Sequence, residues 1–151
     1  MTTLRILGSA AGGGFPQWNC NCRNCDGVRH GTVRPLPRMQ SSLAITGNGT
    51  DWLLVNASPD ILLQVRQAPA LQPGRQARDT GIAAVLLMDA QIDHVAGLPM
   101  LREHQRRLPL YATAPVLNDL ASVFPLTRVL SHYCGVDARM VPLDDGMELT
   151  L

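Results

Sequence analysis

The sequence predicts a layered α/β or α+β domain, and three observations support this fold class. Residues 82–88 read IAAVLLM, an uninterrupted apolar run that is typical of a strand buried on both faces of a sheet. Shorter apolar runs on either side alternate with segments that begin with helix-capping residues. The chain has 151 residues, of which 46% are hydrophobic, and this is enough for one domain with its own core.

The N-terminal part of the chain predicts three strands and two irregular segments. Residues 8–14 read GSAAGGG, and residues 15–40 contain prolines and clustered cysteines, so neither segment predicts regular structure. Residues 47–50 read GNGT, where Asn-Gly predicts a hairpin turn because both residues tolerate a positive φ. The predicted strands are residues 3–7, 41–46 and 51–56.

A helix is predicted after the third strand. Ser58 is placed to cap it, Pro59 suits the first helical position, and Asp60 in the first turn is favoured by the helix dipole. A polar loop rich in proline and glycine is predicted from residue 68 to residue 80. The helical side chains expected to face the core are Ile61, Leu62 and Val65.

The C-terminal part continues the alternation of strands and helices. Thr113 is expected to cap a helix that begins near Ala114 and Pro115. Asp144-Asp145-Gly146 predicts a turn before a last strand. The predicted elements are a strand at 82–88, a helix at 98–106, a strand at 108–112, a helix at 114–124, and strands at 139–142 and 147–151.

The charge balance and the hydropathy pattern restrict the partners and the location of the protein. The net charge is +1 and the basic residues are scattered, which argues against a nucleic-acid or membrane-binding surface. The N-terminus enters a strand directly, without a signal-peptide pattern, and no apolar run approaches the ~20 residues of a membrane helix. The predicted location is therefore the cytoplasm, where cysteines stay reduced.

The first cluster of functional side chains follows the most buried strand. Asp89, Gln91, Asp93 and His94 stand at its C-terminal end, where polar groups open into the crevice above a parallel sheet. Two carboxylates and an imidazole so close together suit a metal site or acid–base chemistry. The alternative is a charged loop in which Asp93 caps the next helix and His94 is solvated.

The second cluster is the C-x-C-x-x-C sequence formed by Cys20, Cys22 and Cys25. Three thiolates at this spacing can bind one tetrahedral ion, so the pattern predicts a structural zinc site. A disulfide among them would be strained, and redox chemistry is disfavoured because no strand–helix pattern surrounds them. The candidates for a fourth ligand within the chain are His30, His132 and Cys134, although Cys134 is otherwise expected to be an inert core thiol.

Residues 84–98, AVLLMDAQIDHVAGL, resemble the H-x-H-x-D-H-x-x-G-L strand and loop of the metallo-β-lactamase superfamily. Asp89 and Gln91 occupy the two leading histidine positions, while Asp93 and His94 match. In the superfamily the leading histidines bind the first of two metal ions. Their loss argues against hydrolysis at a site with two zinc ions. A site for a single ion, with Asp93 and His94 as ligands, suits iron as well as zinc.

Two further segments make the resemblance more specific. Residues 8–22, GSAAGGGFPQWNCNC, and residues 56–61, NASPDI, are similar to the N-terminal half of the pyrroloquinoline quinone (PQQ) biosynthesis protein B family. The resemblance implies a metallo-β-lactamase-like αββα sandwich made of two similar halves, at about twice this length. It also implies that the fourth ligand of the cysteine cluster comes from the second half, and that the remaining active-site ligands come mainly from there. Residues 1–151 are thus expected to be a truncated N-terminal half that pairs with the missing half or forms homo-oligomers.

The resemblance also implies a function. The activity that the resemblance implies is that of a non-haem iron oxygenase, which hydroxylates the tyrosine of a Glu-Tyr unit from a precursor peptide. The expected partner is therefore that peptide or a small PQQ intermediate. The alternative is a carrier that helps move PQQ or its precursor to the periplasm. A metal-dependent phosphodiesterase is less favoured because the leading histidines are missing. Asp93 and His94 would bind Fe²⁺, with Asp89 auxiliary to them and Gln91 holding water or substrate.

The glycine-rich segment lacks the G-x-G-x-x-G spacing and the lysine of a phosphate-binding loop. It is expected either to approach the metal crevice with its backbone or to be a flexible turn.

Overall fold

A computed structural model describes residues 1–142 as one six-stranded sheet with helices. The strands lie side by side in the order in which they occur in the chain. This confirms the predicted α/β fold class, while the strand predicted at 147–151 lies outside the described residues. The strands are β1 (Thr3–Gly8), β2 (Ser42–Thr46), β3 (Trp52–Val55), β4 (Ile82–Leu86), β5 (Leu108–Ala112) and β6 (Val136–Met140).

The sheet is antiparallel at one side and parallel at the other. Strands β1, β2 and β3 pair antiparallel, whereas β3, β4, β5 and β6 pair parallel. The apolar run predicted to be a buried strand is β4, with a parallel neighbour on each side. The predicted hairpin joins β2 to β3, and Asn48 stabilises its turn by accepting backbone hydrogen bonds from Thr50 and Asp51.

Four of the five described helices pack on one face of the sheet, where they form the main core with apolar strand residues, and the helix at Arg23–His30 does not join it. Among the described residues, no helix is long and apolar enough to cross a membrane. The helices are α1 (Arg23–His30), α2 (Ile61–Gln67), α3 (Ile92–Val95), α4 (Ala114–Ala121) and α5 (Leu126–Leu130), with 3₁₀ turns at Pro69–Leu71 and Leu98–Leu101.

The predicted helices differ from the observed ones in several places. Helix α1 lies inside the segment predicted to be irregular, and it ends at Gly31 in a left-handed conformation. The helix predicted at 98–106 is only the 3₁₀ turn, because the chain then turns so that the ring of His104 contacts the carbonyls of Arg106 and Ile82.

Other boundaries and orientations were also wrong. The helix predicted at 114–124 ends at Ala121 and is followed by α5, and the last described strand begins at Val136 rather than at residue 139. In α2, Leu62 is exposed, and the side chain of Gln64 is buried instead. The buried position of this glutamine reflects a polar network that the apolar periodicity does not reveal.

The opposite face of the sheet is apolar from β1 to β5, whereas Asp137 and Arg139 lie on it at β6. No helix among the described residues packs on it. Residues that lie opposite one another in neighbouring strands point to the same face, and their register assigns the side chains of this face. Ile6, at the edge of the face, is 66% exposed. A small cluster of Leu53, Ala84 and Tyr111 forms its centre. The apolar part of the face consists of Leu4, Ile6, Leu43, Ile45, Leu53, Val55, Ala84, Leu86 and Tyr111.

We expect the 151-residue chain to self-associate when it is purified alone, because a contiguous apolar face drives association in water. Light scattering should give a mass above that of the monomer, and Ile6→Lys should lower it. Val123→Lys is the matched control, since Val123 is 81% exposed but lies between α4 and α5. A native chain that stays monomeric at high concentration would contradict this expectation.

Candidate metal centres

The first candidate site begins where β4 ends. Asn56, which follows β3, donates its backbone N–H to the carbonyl of Leu86, and its side-chain oxygen accepts the N–H of Met88 at 3.1 Å. Asn56 has a φ of 60°, in the left-handed region that asparagine tolerates better than most residues. This contact orients the chain as it leaves β4 and enters the segment that contains Asp89.

Asp89, Asp93 and His94 lie together, as the sequence predicts. The Nδ1 atom of His94 is 2.7 Å from the Oδ1 atom of Asp89, and its Nε2 atom is 3.8 Å from the Oδ2 atom of Asp93. The side chains of Asp93 and His94 are only about one-fifth exposed. A carboxylate on Nδ1 fixes the orientation of the ring and leaves Nε2 available as a ligand atom.

Two further features of this segment bear on the alternative interpretation, in which Asp93 caps the next helix and His94 is solvated. Helix α3 has Gln91, not Asp93, at its N-cap position, and no side chain makes a capping hydrogen bond there. Asp93 instead faces His94. Gln91 donates its backbone N–H to the carboxylate of Asp89 at 2.9 Å, while Gln91 itself is exposed. The geometry therefore favours a paired Asp–His site over a helix cap.

Backbone contacts hold this segment against the start of α2. The N–H of Ala57 donates to the carbonyl of His94 at 2.7 Å, and the N–H of Gly97 donates to the carbonyl of Ala57 at 2.8 Å. A Cβ atom on Gly97 would lie 2.1 Å from the carbonyl oxygen of Ser58, so only glycine fits. The glycine of the H-x-H-x-D-H-x-x-G-L pattern thus allows close contact between the two segments.

The second candidate site is the cysteine knuckle. The Sγ atoms of Cys20, Cys22 and Cys25 all lie within 4.8 Å of one another. Zinc–sulfur bonds of about 2.3 Å place thiolates about 3.8 Å apart in a tetrahedron, so this cluster fits one zinc ion after small adjustments. Cys25 lies in α1 and is buried, whereas Cys22 is exposed.

Arg29, in the last turn of α1, stabilises the knuckle loop and was not identified from the sequence. Its guanidinium donates to the carbonyl of Cys20 at 2.6 Å and also to the carbonyl of Gln17. A guanidinium can donate to two carbonyls at once because its donors form a planar fork. If the helix at Arg23–His30 had been predicted from the sequence, Arg29 in its last turn would have been expected to lie near the cysteines.

The three proposed intrachain fourth ligands do not join the cluster. Among residues 1–142, no further cysteine, histidine or carboxylate lies with the three cysteines in a group that could hold one metal ion. His30 pairs with Asp26, with Nδ1 3.1 Å from Oδ1. His132 is exposed, and Cys134 contacts the carbonyl of Leu101 and packs against the core.

The knuckle thiols differ in acidity. The backbone N–H of Cys25, followed by the Cys20 thiol and the backbone of Asn24, lowers the pKa of Cys22 to about 7. A backbone hydrogen bond from Gln17 favours the Cys25 thiolate, but burial and the neighbouring thiols outweigh it and raise the pKa of Cys25. Cys22 is therefore converted more readily than Cys25 to the thiolate, the form that binds metal.

The sheet, the Asp–His pair after β4 and the following Gly97–Leu98 together define a class of protein. A family model described as the beta-lactamase superfamily domain matches residues 51–151. The chain belongs to the beta-lactamase superfamily.

Relatives within the superfamily are more specific. The chain is 73% identical over its whole length to coenzyme PQQ synthesis protein B of Cupriavidus taiwanensis, and it covers 49% of that protein. It matches the structure of Zn²⁺-bound PqqB from Methylobacterium extorquens with 43% identity and a TM-score of 0.85, covering 98% of this chain and 52% of the other. The resemblance to the PQQ biosynthesis B family is confirmed, and the chain spans about half the length of the curated relatives it matches.

A more distant structure shares the fold alone. A diphosphatase of the PhnP family is 23% identical, with a TM-score of 0.74 over 99% of this chain and 54% of the other. Together these matches confirm the predicted metallo-β-lactamase-like fold for the N-terminal half.

We expect Gly97→Ala to lower the free energy of unfolding by at least about 2 kcal/mol, because the added methyl group overlaps backbone atoms of the adjoining segment. Gly74→Ala is the matched control, since no atom lies within 4 Å of a methyl group there. Urea denaturation of the two variants measures the difference. Equal stabilities would show that the close contact between these segments is unimportant.

Proposed function

We propose that the protein acts in PQQ biosynthesis as a metal-dependent oxygenase that hydroxylates the tyrosine of a Glu-Tyr unit from the precursor peptide. The single observation that supports this most strongly is the Asp89–His94–Asp93 arrangement on a chain whose relatives are PQQ synthesis B proteins. An imidazole and a carboxylate that face one another, with the leading histidines replaced, favour one ion over the paired zinc ions of hydrolases.

The residues present fit an Fe²⁺ ion in their donor types. His94 would bind through Nε2 and Asp93 through Oδ2, while Asp89 would keep Nδ1 of His94 protonated and the ring oriented. When bound, iron supplies the activation of O₂. The net reaction would insert one oxygen atom of O₂ into a ring C–H bond of tyrosine, giving a hydroxyl group, and would reduce the other oxygen atom to water with two electrons from an external reductant and two protons.

The chain itself would orient the reactants and limit the access of water. The small exposure of Asp93 and His94 keeps most solvent away from their ligand atoms. Gln91 is exposed, and its amide would hydrogen-bond a water molecule or the substrate. Asp89 would act only through His94, since its Oδ1 atom is occupied by the imidazole and by the N–H of Gln91.

We infer that the knuckle binds a structural zinc ion, in agreement with the Zn²⁺-bound relative. Three sulfur ligands leave one tetrahedral position for a group outside residues 1–142 or for a water molecule. The partner that would cover the apolar sheet face and supply further ligands is a second α/β half or a second copy of the chain.

We expect one zinc ion per chain in the purified protein and much less in Cys22→Ser. Metal ligation replaces a hydrophobic core in this loop, so the variant should also lose protection of α1 against proteolysis. Elemental analysis and limited proteolysis make the two measurements. Cys134→Ser is the control, because Cys134 lies outside the knuckle. The zinc assignment would be wrong if Cys22→Ser and native protein contained equal zinc.

We expect His94→Ala and Asp93→Ala to abolish iron binding and oxygen-dependent hydroxylation of a Glu-Tyr substrate. The measurements are anaerobic iron loading and mass spectrometry of the product, made on a full-length homologue or on the chain complemented with a second half. His132→Ala is the control because His132 is exposed and lies outside the site. Unchanged iron content and turnover in both site variants would refute the assignment, and the carrier function would then be the better explanation.

A further inference from the structure

The glycine-rich loop at residues 8–14 contacts the Asp93 side chain. A Cβ atom on Gly12 would lie 3.3 Å from both the Cγ and Oδ2 atoms of Asp93, which is tighter than most contacts of real side chains. The φ of Gly12 is not in the left-handed region, so this contact, and not backbone strain, restricts the residue at position 12. Oδ2 is also the atom of Asp93 that lies nearest to Nε2 of His94.

Gln40 connects this loop to helix α2. Its side-chain oxygen accepts the N–H of Gly13 at 2.9 Å, while its backbone N–H and its Nε2 atom donate to Oδ2 of Asp60 at 2.9 and 3.1 Å. Gln40 is only 8% exposed. An ionised carboxylate has no hydrogen to donate, so Asp60 can pair only with the NH₂ group of the Gln40 amide. The Oε1 atom of Gln40 is therefore turned toward Gly13.

The same network reaches the other side of the site. Gln64 donates its amide to the carbonyl of Gln40 at 2.8 Å, and Ser58 donates its hydroxyl to Gln64 at 3.1 Å. Ser58 follows Ala57, whose N–H donates to the carbonyl of His94. Ser58 and Gln64 are almost completely buried, so each of these hydrogen bonds would be costly to lose.

We propose that Gln40 and Asp60 are positioning residues that hold the glycine-rich loop against Asp93 and so fix the carboxylate beside Nε2 of His94. This positioning role rests on the proposed function, in which Asp93 and His94 bind iron. Gln40 touches neither side chain, and it acts through the Gly13 amide and the Gly12 contact. The loop would thus set the separation of the two ligand atoms before any metal binds.

The decisive test is NMR of the protein with zinc in the knuckle and no iron, with two independent variants. Gln40→Met removes the amide at similar volume, and Gly12→Ala adds a methyl group against Asp93. We expect both to shift the Asp93 carboxyl and His94 ring signals. In Gln40→Met, exchange of the Gly13 amide should also become about fivefold faster or more, because one hydrogen bond is lost. Exchange of the β3 and β4 amides should stay at native values.

The matched controls are Gln72→Met and Gly47→Ala. The Gln72 amide donates to the carbonyls of Val65 and Arg66, away from the site, and a methyl group on Gly47 meets no atom within 4 Å. Neither control should move the Asp93 or His94 signals. If Gln40→Met fails to fold, Asp60→Asn replaces it, because it removes the charge and keeps one acceptor. Unchanged Asp93 and His94 signals in the folded variants, or equal shifts in the controls, would overturn the proposal.

A second measurement separates this inference from the proposed function. Anaerobic titration with Fe²⁺ should give a dissociation constant at least about tenfold higher in Gln40→Met, which corresponds to about 1.4 kcal/mol, with unchanged zinc in the knuckle. An unchanged Fe²⁺ dissociation constant, despite shifted Asp93 signals, would contradict the positioning role. Failure of the native protein to bind Fe²⁺ would refute the proposed function, and the NMR comparison would still decide whether the loop orients Asp93.

Discussion

Two backbone hydrogen bonds join Ala57, just after β3, to His94 and Gly97, beyond β4. Helix α3 has only four residues, far too few to be stable by itself, so these tertiary bonds determine where Asp93 and His94 lie. Asn56 adds a third connection through the N–H of Met88. Because the parallel pairing of β3 and β4 brings these two strand ends together, the sheet and the site depend on the same contacts.

The replacement of the leading histidines changes the electrostatics of the site as well as its ligand number. Asp89 brings a carboxylate to the Nδ1 atom of His94 from within the same short loop. In the histidine-containing pattern this position would offer a neutral ligand, whereas here it offers an anionic acceptor that orients another ligand. The substitution therefore favours a smaller ligand set with a more strongly oriented imidazole.

The sequence was most informative where function and structure are local in the chain. The β4 run, the Asn-Gly turn, the cysteine spacing and the Asp93–His94 pair could be recognised because each lies within a few residues. Helix α1 was missed because the cysteines and the prolines on either side of it indicated an irregular segment, although Gly31 and the basic residues before it are typical of a helix end.

Contacts between distant segments could not be predicted in this way. Gln40 lies 20 residues from Asp60 and 27 from Gly13, and no periodicity relates them. Asp60 was assigned to the helix dipole, yet in the structure its carboxylate accepts two hydrogen bonds from Gln40. Buried glutamines in a polar network resemble surface residues in a sequence, since their type gives no sign of burial.

The side-by-side order of the strands affects how the chain can reach its fold. Strands β2 and β3 are joined by a short turn, and each later strand pairs with the one made just before it, so most of the sheet can form progressively from the hairpin. Strand β1 must close the longest of the connections between described strands, which runs from Gly8 to Ser42, before it can pair. The cysteine knuckle lies within that loop, and a metal ion there would shorten its freely moving length and reduce the entropy lost on closure. The edge strand would then be the last to join and the one whose docking rate depends on metal supply.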